Sequence, residues 1–144
     1  MTSRRGESQV AVAGSAAGLP PRVVRDAVTH VLRGERRKAE VAVVFVGRQA
    51  MRRINAAWLH HDWPTDVVTF PLERRGAGSA GDIYICRQVA ARHAREHHVP
   101  VRQELLRLIV HGTLHLLGWD HPESDARARS PMWRRQERYV TELT

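Results

Sequence analysis

Three histidines in the C-terminal third of the chain have the spacing of a metal site. His111 and His115 are four residues apart, so on a helix both rings lie on one face, one turn apart. Gly118 lets the chain leave that helix in a left-handed conformation, and His121 then returns from the turn. Three imidazoles around Zn²⁺ leave a fourth position for a water molecule, which the metal activates near neutral pH. The pattern therefore predicts that these histidines form a catalytic site acting through the metal-bound water.

Two other interpretations of the histidines are less favoured. A solvated helix face can carry two histidines at this spacing, but it does not account for Gly118 and His121. The spacing is also that of the metzincin peptidases, whose general base is a glutamate directly after the first histidine. Gly112 occupies that position and offers no proton acceptor. Asp120 is expected either to orient a ligand histidine or to cap the turn, and both roles stay open.

The composition favours a polyanionic partner and excludes several classes of protein. Basic residues number 23 and acidic residues 15, which gives a net charge of +8 and favours nucleic acid, although an arginine-rich solvated surface gives the same count. No apolar run approaches the length of a membrane span, and the short patch at residues 11–13 does not resemble an export signal. A single cysteine, Cys86, excludes an intramolecular disulfide and is expected in the core. We therefore expect a cytoplasmic protein.

The elements that must position the histidines follow from apolar periodicity and from the Gly and Pro residues between them. Strands are predicted at residues 9–13, 40–46, 67–70 and 83–86, and helices from 21 to a stop at Gly34 and over 48–58, 88–98, 101–117 and 131–143. The strand at 40–46 is nearly all apolar, so we expect it to be buried on both faces. The order predicts one α/β domain over residues 8–144 with a small mixed sheet, preceded by disordered residues 1–7. The metal site lies at the end of the long helix in the C-terminal half.

Three segments, taken in order, resemble one protein family. They are Asn55 with residues 62–71 (DWPTDVVTFP), residues 81–86 (GDIYIC) and residues 111–121 (HGTLHLLGWDH). The corresponding family segments are N-x₆-D-x-P-T-D-V-L-S-F-P, G-D-I-x-I and a histidine motif with glycine in second place. The chain therefore resembles the YbeY family, bacterial endoribonucleases that act in ribosomal RNA maturation.

The resemblance carries several expectations. It implies one α/β domain with a mixed sheet of about four strands packed with helices, and one zinc ion per chain held by His111, His115 and His121. It implies cleavage of single-stranded RNA, a role at the 3′ end of the small-subunit ribosomal RNA, and ribosome quality control. The implied partners are RNA, the small ribosomal subunit with its proteins and, as a further candidate, the GTPase Era.

One departure from the family pattern bears on activity. The family has an arginine four residues after its asparagine, where this chain has Leu59. An arginine there would stabilise charge developing on the scissile phosphate. We hypothesise that Arg52, Arg53, His60 or His61 covers the loss. The alternative is a ribosome-biogenesis module that binds RNA or protein, with a zinc site and little or no catalysis.

Two further groups complete the predicted site. Basic side chains and one tryptophan are expected to contact RNA: Arg48, Arg52, Arg53, Trp63, Arg74 and Arg75. Polar side chains are expected to support the metal ligands and the cleft: Asn55, Thr65, Asp66, Asp82 and Asp120. For Thr65, Asp66 and Asp82 the alternative is ordinary turn chemistry, in which they cap backbone N–H groups. His93, His97 and His98 are expected on an exposed helix surface.

Overall fold

The computed structural model of this chain describes residues 8–16, 18–72, 78–122 and 125–144. The predicted disordered segment 1–7, together with Arg74 and Arg75, lies outside the described residues. The strands are β1 (Gln9–Ala13), β2 (Ala39–Val46), β3 (Val67–Leu72) and β4 (Ser79–Cys86). The helices are α1 (Pro21–Glu35), α2 (Arg48–Ile54, continued by a π-helix at Asn55–Leu59), α3 (Arg87–Glu96), α4 (Val101–Leu116) and α5 (Pro131–Leu143), with a 3₁₀-helix at Asp125–Arg129.

The four strands form one mixed sheet in the order β1-β2-β4-β3. β1, β2 and β4 run parallel, while β3 is antiparallel to β4 and forms one edge of the sheet. Parallel pairing follows from the helices that connect β1 to β2 and separate β2 from the β3–β4 pair. The prediction of a single α/β domain with a small mixed sheet is therefore confirmed. Among the described residues, no helix combines the length and apolar character needed to cross a membrane.

One face of the sheet is much better covered than the other. Along β2, Val41, Val43 and Phe45 are buried, whereas Glu40 and the other residues that alternate with them are exposed or half-buried. The buried set packs against α1 and α4 in the main core. In the part of the chain that the structure describes, the opposite face carries a smaller cluster around Met51 of α2, which includes the fully buried Cys86. The expectation that β2 is buried on both faces was therefore wrong, while Cys86 lies in the core as predicted.

Helix α1 does not stop at Gly34. It continues to Glu35 and ends at Arg36, which adopts the left-handed conformation with φ of 55°. A Cβ atom at Gly34 would overlap the ring of Tyr139 in α5. The glycine therefore permits close approach of two helices. The predicted stop was wrong because glycine is also selected where a neighbouring side chain leaves no room.

Helix α4 is the central element of the fold and is buried along most of its length. At Gly112 a Cβ atom would lie 2.7 Å from the Cγ2 atom of Ile83 in β4, so this glycine lets the helix sit close to the sheet. The same contact explains why no glutamate occupies this position, since its side chain would enter the interface between helix and sheet. This close packing determines how far from the sheet the histidines at the C-terminal end of α4 lie.

Candidate metal centre

The end of α4 and the turn that follows bring the three predicted histidines together. The ring centroids of His111 and His115 are 4.5 Å apart, and those of His115 and His121 are 4.9 Å apart. The third pair, His111 and His121, is separated by 5.1 Å. One ring nitrogen from each histidine lies within 4.8 Å of the other two. Three nitrogen donors at this separation form a potential metal site.

A specific helix ending turns the chain back toward the helix. Gly118 has a φ of +100°, and its N–H donates to the carbonyl of His115 at 3.0 Å. The N–H of Trp119 donates to the carbonyl of Leu114, also at 3.0 Å. These two bonds with a left-handed glycine form a Schellman motif, which satisfies helix carbonyls that would otherwise lack donors. The left-handed conformation predicted for Gly118 is therefore confirmed, and it places His121 beside the helix end.

Two of the three rings are held by a hydrogen bond at one side. The Nδ1 atom of His111 lies 2.6 Å from the Oε1 atom of Gln136, and the Nδ1 atom of His121 lies 3.0 Å from the carbonyl of Pro122. The backbone of Trp119 lies close enough to His115 to raise its pKa, against the net shift. Amide and carbonyl oxygens only accept, so the Nδ1 atoms of His111 and His121 donate and the other nitrogen of each ring keeps its lone pair.

The environment keeps two of the rings neutral. Burial lowers the pKa of His111 to about 4, and the hydrogen bond that its Nδ1–H donates to Gln136 opposes the shift. Burial also lowers the pKa of His115, and the nearby His121 adds to the effect. A neutral imidazole is the form that binds metal ions, so no proton has to be removed from these rings near neutral pH. Three imidazoles are a donor set that zinc accepts readily, and the residues present therefore fit a zinc ion.

Gln136 is a site residue that the sequence analysis missed. Its side chain is 1% exposed, and its Nε2 group donates to the Oε2 atom of Glu137 at 3.0 Å. Arg107 donates in turn to both carboxylate oxygens of Glu137, and the two shortest of these bonds are 2.9 Å long. The sequence did contain a signal for Gln136, which is a polar residue on the apolar stripe of a predicted helix. A buried amide needs hydrogen-bond partners, so such a residue is expected to contact another buried polar group.

The predicted supporting residues divide into two locations. Asn55 is fully buried and donates through Nδ2 to the carbonyl of Trp63 at 2.7 Å and to Oγ1 of Thr65 at 3.1 Å, so it fixes the loop before β3. Asp66 accepts from the N–H of Val67 at 2.7 Å, as expected of a turn residue, and its side chain also lines the cleft beside the histidines.

Asp120 and Asp82 differ in their distance from the histidines. Asp120 accepts from the N–H of His121 at 2.9 Å, and its charge raises the pKa of His115, against the net shift. Successive residues of a strand point to opposite faces of the sheet. Gly81 of β4 faces α4, so its neighbour Asp82 projects from the other face. There it lines a hollow of about 310 Å³ with Trp58.

The residues predicted to contact RNA flank α2 and the following loop. Arg52 makes a bidentate pair with Asp62, at 2.7 and 2.9 Å. Arg48 and Arg53 are exposed, and Trp63 is 58% exposed and stacked on His61 at 4.1 Å. None of these side chains lines the cleft beside His111 in the part of the chain that the structure describes.

A cleft of about 440 Å³ opens beside His111. Arg127, from the 3₁₀-helix, lines this cleft, and its charge contributes to lowering the pKa values of His111 and His115. His93 lines the same cleft, although the sequence analysis placed it on an exposed surface. No periodic pattern marks Arg127, because a five-residue 3₁₀-helix is too short to carry one.

The fold and site define a small single-domain α/β protein whose central helix presents a potential three-histidine metal centre. A family model described as Endoribonuclease YbeY matches residues 19–144, and the chain therefore belongs to the YbeY family of endoribonucleases.

Individual relatives agree with this membership. The Endoribonuclease YbeY of Chlorobium luteolum is 40% identical over 118 residues, covering 81% of this chain and 84% of that protein. The Endoribonuclease YbeY of Chloroherpeton thalassium is 35% identical over 126 residues, covering 87% of each chain. The solution structure of TM1509 from Thermotoga maritima matches with a TM-score of 0.67 at 29% identity, covering 94% of this chain and 89% of that one. The resemblance and the fold class predicted from the sequence are confirmed.

Proposed function

We propose that this chain is a zinc-dependent endoribonuclease that cuts single-stranded RNA during maturation of the small-subunit ribosomal RNA 3′ end and in ribosome quality control. One zinc ion per chain is assigned to His111, His115 and His121. The observation that carries the proposal is the convergence of these three rings in a member of an endoribonuclease family, with hydrogen-bond acceptors behind His111 and His121. The same proposal includes a cytoplasmic location, the small ribosomal subunit and its proteins as partners, and Era as a further candidate.

The residues around the cleft have separable tasks in this reaction. A zinc ion held there would act as a Lewis acid toward water and the scissile phosphate. Gln136 keeps the His111 ring in one orientation, and the carbonyl of Pro122 does the same for His121. The remaining need is a cation that stabilises negative charge on the phosphate as the bond breaks.

We assign that task to Arg127. The family arginine is absent at Leu59, which is 43% exposed, and the neighbouring Arg52 is already paired with Asp62. Arg127 is exposed, lines the cleft and lies close enough to His111 to influence its pKa. Its guanidinium offers several donors in a geometry suited to phosphate oxygens. Arg127→Gln is therefore expected to lower the cleavage rate by about 10²-fold or more, in line with loss of one preorganised donor.

A matched comparison separates the two arginine assignments. Arg52→Gln makes the same chemical change near Leu59, at the site that the sequence analysis favoured. If cleavage falls with Arg52→Gln and is unchanged with Arg127→Gln, then Arg52 of α2 stabilises the charge on the phosphate and our assignment to Arg127 is wrong.

The central experiment measures cleavage of a labelled single-stranded RNA carrying the small-subunit rRNA 3′ end. We expect cleavage to disappear with a chelator, to return with added zinc, and to be absent in His115→Ala. His98→Asn serves as control because it removes an exposed histidine at a left-handed position that asparagine tolerates. Cleavage that survives both the chelator and His115→Ala would contradict the proposal.

Leu59 favours a second candidate, a ribosome-biogenesis module that binds RNA or protein with little or no catalysis. The position expected to hold a phosphate-binding arginine presents an exposed apolar side chain instead. RNA or ribosome binding without cleavage, in every divalent metal tried, would support this candidate over the nuclease.

A further inference from the structure

A second group of ligand-type side chains lines the cleft beside His111. Asp66 precedes β3, His93 lies on α3 and Glu104 lies on the first turn of α4. One donor atom from each of these residues lies within 4.8 Å of the other two, and Oδ2 of Asp66 is 3.3 Å from Nδ1 of His93. Three separate elements therefore converge on one point.

Glu104 is the most buried of these three side chains. Its side chain is only 9% exposed, and its Oε2 atom accepts a hydrogen bond of 3.1 Å from Arg107. Among the residues that the structure describes, no hydrogen bond reaches its other carboxylate oxygen, although the side chain lines the cleft. This oxygen is not among the fully buried unpartnered atoms of the described residues, so it stays accessible to an ion in the cleft.

The local charge also favours a cation. Arg107 is shared between Glu104 and Glu137, and Asp66 adds a third carboxylate across the cleft. With Arg127, which lines the same cleft, three carboxylates face two guanidinium groups and leave one negative charge, in a protein whose net charge is +8. The other cleft guanidinium, that of Arg127, acts on the histidines.

We propose that Asp66, His93 and Glu104 bind a second divalent cation of the Mn²⁺ or Mg²⁺ class. Carboxylate oxygens suit these ions, and Mn²⁺ also accepts an imidazole nitrogen. Glu104 and His111 are seven residues apart on α4, which places the two sites about 10 Å apart along the helix. Metal ions that share one reacting phosphate lie about 3.5–4 Å apart. The second cation therefore holds a phosphate further along the strand, a role that rests on the proposed ribonuclease function, whereas the binding itself does not.

Mn²⁺ alone is the probe, titrated into the zinc-loaded full chain and followed by the EPR signal of the free ion. We expect one Mn²⁺ per chain, with binding weakened by about tenfold or more in Asp66→Asn and in His93→Ala. Asn keeps an oxygen for the N–H of Val67, and His93 is partly exposed, so both variants preserve the fold. Glu96→Gln is the matched control, since Glu96 is an exposed carboxylate on α3, and it should bind Mn²⁺ like the wild type.

Several results would overturn the cation site. They are no Mn²⁺ binding, wild-type affinity in Asp66→Asn and His93→Ala, or loss of Mn²⁺ binding in His115→Ala, which would place the ion at the three histidines. Parallel RNA cleavage assays separate the two proposals. Bound Mn²⁺ with no cleavage would reject the nuclease and keep the cation site, and metal-dependent cleavage without Mn²⁺ binding would do the reverse.

Discussion

Replacing Gln136 by methionine tests whether the ring orientation of His111 depends on a single buried contact. The variant keeps the length and flexibility of the side chain but removes the oxygen 2.6 Å from Nδ1 of His111. His111 is 6% exposed and Gln136 is 1% exposed, so water cannot easily replace the lost acceptor. The Nδ1–H group then faces an apolar side chain, and the ring loses the restraint that directs Nε2 toward the other histidines.

The magnitude follows from the burial of this contact. A buried donor left without its partner costs about 1–3 kcal/mol. Loss of a hydrogen-bond partner behind a metal-binding histidine lowers metal affinity by about 10–100-fold. We therefore expect Gln136→Met to bind zinc about 10–100-fold more weakly than the wild type.

A competition titration against a chromophoric zinc chelator measures this affinity directly, without reference to activity. Gln49→Met is the matched control, because Gln49 is exposed on α2 and the chemical change is identical. Thermal unfolding of both variants checks that the fold is intact. A folded Gln136→Met protein with wild-type zinc affinity would refute the positioning role of Gln136.

Three further predictions concern stability and the helix ending. Gly34→Ala forces a Cβ against Tyr139 and should destabilise the protein by about 1–3 kcal/mol in urea unfolding. Burial raises the pKa of Glu35, but hydrogen bonds led by that from Tyr139 outweigh it, so the pKa is lowered overall. The contribution of ionised Glu35 to the free energy of unfolding is therefore complete above the ordinary carboxyl pKa. It is lost as the pH falls through the lowered pKa of Glu35. Glu35→Gln should cost roughly 1–3 kcal/mol at pH 7, with a shrinking difference in acid unfolding experiments. Gly118→Ala strains a left-handed position, so we expect it to cost about 1 kcal/mol in thermal unfolding and to weaken zinc binding measured by competition, as His121 shifts.

The parts of the structure predicted correctly from the sequence depend on local geometry. Two histidines four residues apart share a helix face in any helix, and Gly118 marks the reversal that brings back His121. Helix α5 begins and ends where predicted. Its beginning has a local cause, because Ser130 caps the helix by accepting from a backbone N–H of the first turn and Pro131 suits the first helical position.

The parts that were missed depend on contacts between distant elements. Gln136 and His111 are 25 residues apart, and their contact exists only because α5 packs beside α4. Gly34 has the sequence signature of a helix stop, but its neighbour Tyr139 decides the outcome. The half-covered β2 depends on how many helices pack on each face, which no local periodicity records.

The cleft residues fall in the same category. Asp66 and His93 meet because β3 starts where α3 passes, and neither residue carries a local signal of the other. Arg127 follows the histidine turn in the chain, but its place in the cleft depends on the 3₁₀-helix that leads into α5. Tertiary packing therefore supplies the charged part of the site, while the chain's local geometry supplies its histidines.

The edge of the sheet has a consequence for self-association. β3 is an outer strand, and at Pro71 it lacks the N–H group that an incoming strand of another molecule would need. The opposite edge, β1, is only five residues long and offers little template for pairing. Both edge strands are therefore poor templates for the addition of a strand from another molecule. We expect the protein to resist edge-to-edge aggregation, although one face of its sheet is only partly covered.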